Sequence, residues 1–132
     1  MNMTGNELIT QFESGATAAE NFHHADHVRL AFEYLRHYPA LEALEKFSAA
    51  LQRFAAAQGK AQLYHETITW AYLLLIRERI ARAGCTLTWE EFAERNADLL
   101  VWKGGLLATL YRQETLASDL ARQIFVFPDH GL

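Results

Sequence analysis

The stretch from Tyr64 to Ile76 constrains this chain most. It reads Tyr-His-Glu-Thr-Ile-Thr-Trp-Ala-Tyr-Leu-Leu-Leu-Ile, polar and histidine-bearing in front and apolar behind. A helix over these residues carries apolar groups on every side and has to be surrounded by other helices. The pattern therefore predicts the central helix, about 63 to 83, of an all-α bundle, with His65 carried inward near one end. His65, Thr69, Tyr72, Ile76 and Ile80 share one stripe of that helix. Arg77, Glu78, Arg79 and Arg82 mark its emergence into water, with positive charge where the helix dipole favours it. Gly84 ends it.

Helical spacing recurs on both sides of this segment. Residues 6 to 13 form a short helix with Leu8, Ile9 and Phe12 inward. A second helix runs from about His24 to His37 and stops before Pro39, which disfavours a helical residue ahead of it. Placed at 100° intervals, Val28, Ala31, Phe32, Leu35 and Tyr38 fall on its apolar side, and Asp26, Arg29, Glu33, Arg36 and His37 on the other. Pro39 suits the first turn of a third helix, about 39 to 58, with Leu41, Leu44, Phe47, Leu51, Phe54 and Ala55 inward.

After Gly84 the pieces shorten. Thr88-Trp89-Glu90-Glu91 has the form of a capping box, in which the Thr88 hydroxyl and the Glu91 carboxylate satisfy free N–H groups. Gly104-Gly105 divides 96–110 into two short helical pieces. Thr115 is placed to cap a last helix, about 116 to 124, with Leu116, Leu120 and Ile124 inward. Phe125 to Asp129 is too apolar for a free tail and should pack back on the bundle. The fold expectation is thus a single helical domain over 1–132, with three longer helices followed by several short ones.

Composition narrows the function classes. Hydrophobic residues make up 51% of 132 residues and charged residues 21%, enough apolar surface for a core. A formal charge of −4 argues against nucleic acid, whose phosphates require clustered Lys and Arg. Cys85 is the only cysteine, so no intramolecular disulfide forms, in keeping with a cytoplasmic location. The first seven residues lack the basic flank and apolar run of a signal peptide. The longest apolar run, Trp70 to Ile76, is far short of the ~20 residues of a membrane span.

Histidine is the residue type that points to chemistry. Five of the six histidines precede residue 66. His24 lies near the middle of the apolar side of its helix and His27 at its margin, while His23 lies further towards solvent. In an up-down-up bundle the first and third long helices run parallel, so their N-termini share an end. His24, His27 and His65 would then converge. Three neutral imidazoles with one open position suit zinc, iron or another divalent transition metal. Glu66 would orient or deprotonate a bound water, although it stands about 100° round the helix from His65. The competing reading is structural: a helical histidine is commonly neutral and hydrogen-bonded to a neighbouring hydroxyl or carbonyl. Tyr111, Arg112 and Arg122 form a weaker, anion-binding constellation.

Phe22-x-His24-x-x-His27, Tyr64-His65-Glu66-Thr67-x-Thr69 and Ala121-Arg122-x-x-Phe125-x-x-Pro128-Asp129 together resemble a group of small uncharacterised bacterial all-helical proteins. The resemblance spans about residues 22 to 129. It implies that His24, His27, His65 and Glu66 are the positions of interest, and it carries no activity with it.

Two functions are therefore expected from the sequence. One is a cytoplasmic metal-binding bundle, with His24, His27 and His65 as ligands and Glu66 as the catalytic group if it is an enzyme. The other is a non-catalytic module that binds a small molecule or a partner protein. The exposed faces of the short C-terminal helices would suit a homo-oligomer contact.

Overall fold

The computed structural model describes residues 4–130. Among these residues there are eight α-helices, three short 3-10 turns and no strand. The all-α class and the succession of three longer helices before short ones are as the apolar spacing predicts. The chain forms two compact units, residues 1–64 and 65–132.

The first unit contains α1 (Gly5–Glu13), α2 (His24–His37) and α3 (Ala40–Ala57). Thr4 opens α1 with a capping box: its hydroxyl accepts from Glu7 N–H, and the Glu7 carboxylate accepts from Thr4 N–H. His23 is the N-cap residue of α2, and the Asp26 carboxylate accepts from its N–H at 2.9 Å. Pro39 stands at the N-cap of α3, one place earlier than its predicted position in the first turn. The α2 helix packs on both α1 and α3. Its Val28, Leu30, Ala31, Phe32 and Tyr34 are fully buried.

Val28, Ala31, Phe32, Phe47 and Leu51 are buried as predicted, and two residues of this unit depart from the predicted faces. Glu33, expected in solvent, is only 1% exposed. Its carboxylate is flanked by Arg29 at 3.7 Å and Arg36 at 3.5 Å, and a methyl group added at Gly5 would overlap it. The backbone of α1 thus comes down on Glu33, and glycine leaves the room. Conversely Leu41, expected inward, is 82% exposed, and the buried stripe of α3 is Ala43, Phe47, Ala50 and Leu51. Small alanines set the face there because they let the helices approach closely.

The second unit holds α4 (Glu66–Ala83), α5 (Trp89–Arg95), α6 (Leu106–Leu110), α7 (Gln113–Leu116) and α8 (Asp119–Gln123). The Thr88–Glu91 capping box opens α5 as predicted. Gly84 ends α4 in the left-handed conformation at φ 67°, which only glycine adopts without strain. Arg79 of α4 grips Asp98 with two nitrogens, at 3.0 and 2.8 Å, and Asn96 at 2.8 Å, tying α4 to the segment after α5.

The end of the chain is corrected by the structure. Ser118, not Thr115, caps the last helix, and α7 and α8 are separate pieces. Leu120 and Ile124 are 58% and 50% exposed rather than inward, and Ala121 is the buried residue of α8. The Thr115 hydroxyl donates instead to the Asp129 carboxylate. That carboxylate also accepts from Arg112 N–H at 2.9 Å, so it satisfies the start of α7 and anchors the tail. The tail packs back as expected. Phe125 stacks on Trp70 at 5.3 Å, the Tyr111 hydroxyl donates to Val126 O at 2.7 Å, and Thr67 bonds both Ile124 O and Val126 N.

Candidate functional site

The predicted site residues fall in both units. His24 and His27 lie one turn apart in the first turn of α2. The ring of His27 packs on Phe22 at 4.1 Å, within a cluster completed by Phe12 and Phe54. Burial among these rings lowers its pKa from the usual 6.5 to about 4, and the neighbouring charge of a protonated His24 adds to the effect. His27 is therefore a neutral, apolar-packed imidazole at neutral pH.

In the second unit, His65 is the N-cap residue of α4 and is 8% exposed. Both of its ring nitrogens are engaged. Nδ1 accepts from Ile68 N–H at 3.1 Å, and Nε2 lies 2.7 Å from Leu116 O. A peptide N–H only donates and a carbonyl oxygen only accepts, so the ring must be the neutral Nε2–H tautomer. Burial lowers its pKa first, and the positive charge of Arg122 lowers it further, against the raising effect of the Leu116 carbonyl. Glu66 follows as the first residue of α4, where a carboxylate complements the helix dipole. Among the described residues, no group of three or more His, Cys, Asp or Glu side chains is arranged to hold a metal ion.

The second unit does contain an open cleft of about 580 Å³, within the range of small-molecule sites. Its first wall is one face of α4, where His65, Ile68 and Tyr72 recur at helical spacing. Trp102 and Leu107 face them from the glycine-rich segment and α6, with the Tyr72 and Trp102 rings 6.4 Å apart. Gln113 and Leu116 come from α7, half-buried Arg122 from α8 and His130 from the tail. Ala108 and Ala117 are small, exposed residues of the lining.

Local geometry explains how these groups meet. Gly104 takes φ 67°, and a side chain at Gly105 would overlap Val101 O, so the tight turn that presents Trp102 needs both glycines. The bond from His65 to Leu116 O fixes the end of α7 against the start of α4. Burial raises the pKa of Tyr72 and of Tyr111, so both hydroxyls stay protonated. The Arg122 side chain forms no hydrogen bond or ion pair among the described residues.

The sequence pointed to His65, Tyr111 and Arg122 separately but did not join them with Trp102, Leu107 and Leu116. Spacing alone reads Trp102 as core or pocket wall and does not choose between them. The Gly-Gly pair before Leu106 was the available signal for a sharp turn that exposes a tryptophan. No known protein family, curated protein or solved structure matches the chain.

Proposed function

We propose that this is a cytoplasmic small-molecule-binding protein whose ligand occupies the cleft of the second unit. The observation that carries this reading is the lining itself: an aromatic and aliphatic wall, a fixed neutral imidazole and one uncompensated guanidinium around a single concavity. Ligand sites characteristically combine such an apolar wall with a few placed polar groups. His65 serves here as a structural clasp, since both nitrogens are used within the chain. No helix among the described residues is long and apolar enough to cross a membrane.

A screen of small fragments by ligand-observed NMR tests the reading, with hits mapped on the amide spectrum. Bound fragments should shift Ile68, Tyr72, Trp102 and Leu107 together. Ala108→Trp should fill the cleft without touching a buried position and should abolish these shifts while the far-ultraviolet spectrum is kept. Hits that ignore these residues, or survive Ala108→Trp, overturn it.

The metal reading keeps one supporting observation: His24 and His27 stand on one turn of α2, close enough to influence each other's charge. As a ligand beside Glu66, His65 has to release Ile68 N–H if it binds through Nδ1, and both Ile68 N–H and Leu116 O if it binds through Nε2. Metal titration followed by ring-nitrogen NMR separates the two readings. Unchanged Nδ1 and Nε2 shifts of His65 in the presence of zinc or ferrous ion support the cleft. A shift of either ring nitrogen complete at one equivalent supports the metal.

A further inference from the structure

We infer that the ligand of this cleft is a monocarboxylate carried on an aromatic or branched aliphatic body. This rests on the cleft being a ligand site, and it adds the chemistry that the site selects. Among the described residues no Asp or Glu lines the cleft, although the whole chain has 16 acidic against 12 basic residues. Asp129, next to the lining residue His130, has its carboxylate held by Arg112 N–H and the Thr115 hydroxyl, and its charge is felt at Tyr111 of the lining.

The formal positive charge of the lining is Arg122 alone. It is half-buried beside apolar surface, and its side chain forms no hydrogen bond or ion pair among the described residues. A partly buried guanidinium without a counter-charge favours an anion, and its planar fork matches the two oxygens of a carboxylate. His65 cannot add a second charge while its Nδ1 accepts from Ile68 N–H. One fork with no lysine and no second arginine in the lining favours a single negative charge over the two of a phosphate monoester.

The apolar part of the ligand is set by Tyr72 and Trp102. Their rings stand 6.4 Å apart at 34°, one from α4 and one from the glycine-rich turn. Ile68, Leu107 and Leu116 continue that surface. A ligand that laid its flat or branched body on these side chains would bring its carboxylate to the α8 side of the cleft. Neutral ligands would leave Arg122 unpaired, and highly charged ones would find no further donors of full charge.

The test titrates the full-length protein with three matched probes: 2-naphthylacetate, 2-naphthylacetamide and 2-naphthyl phosphate. Binding is read from tryptophan fluorescence and from amide shifts around Trp102. Expected is at least tenfold tighter binding of the carboxylate than of the amide, with Arg122→Met removing the difference and Arg122→Lys keeping part of it. The comparison of probes on the unaltered protein stands even if a variant misfolds. Equal binding of carboxylate and amide at Trp102 overturns the carboxylate inference while leaving the ligand site intact. Preference for the phosphate overturns the single-charge assignment. No binding of any probe at millimolar concentration, together with an empty fragment screen, overturns both the inference and the site.

Discussion

At the scale of single residues, the two site histidines show how environment decides what an imidazole does. His27 lies against Phe22 within an aromatic cluster, and His65 is held between a helix N–H and a carbonyl. Both have lowered pKa values, burial being the larger cause in each. For His27 the folded value of about 4 lies below the unfolded 6.5. Between those values the unfolded chain binds more protons, so stability is full above about pH 6.5 and declines as pH falls towards 4. The loss between pH 7 and pH 5 should be about 2 kcal/mol, measured by hydrogen exchange of amides in α2. His27→Gln should flatten that dependence. A slope unchanged in the variant would show that another group is responsible. Glu33 makes the complementary point: spacing alone assigned it to solvent, but two arginines and the glycine of α1 make it a buried carboxylate.

At the scale of elements, most caps were readable and the buried faces only in part. Thr88-Glu91, Gly84 and the His24–His37 bounds follow from neighbouring residues, so local pattern suffices. The rotation of α3 towards Ala43 and Ala50, and of α8 towards Ala121, follows from how closely the helices approach, which hydrophobicity by itself misses. Thr67 is the element-scale joint of the second unit. Its hydroxyl donates to Ile124 O at 2.8 Å and accepts from Val126 N–H at 3.1 Å, joining α4 to the tail. Thr67→Val keeps the shape and deletes both bonds. It should cost about 1–3 kcal/mol, from two hydrogen bonds lost in a buried setting. The Val126 amide should exchange faster in native-state hydrogen exchange. Protection equal to that of the parent would mean that the Trp70–Phe125 stack alone holds the tail.

At the scale of the whole molecule, charge and apolar surface act together. The net charge is −4 at pH 7 and the isoelectric point is near 5.8. Leu41 and Phe127 are each more than four-fifths exposed, and Trp102 is 53% exposed. Near pH 5.8 the repulsion between copies vanishes just as His27 and His65 begin to weaken the folded state. Light scattering should therefore show greatest self-association between about pH 5 and 6, fading on either side as net charge returns. A profile flat from pH 4 to 8 would show that these apolar groups do not meet.

The amino-acid order by itself determined that the chain is helical, where most helices begin and end, and that His65, Tyr111 and Arg122 were polar groups of interest. Those properties depend on neighbours within a turn or two. Only the tertiary structure decided that Leu116 O, 51 residues away, would occupy Nε2 of His65, and that an arginine whose side chain has no ion pair among the described residues would share a concavity with Tyr72 and Trp102. Such pairings depend on how closely distant segments pack, and helical periodicity, which repeats every few residues, does not record that distance.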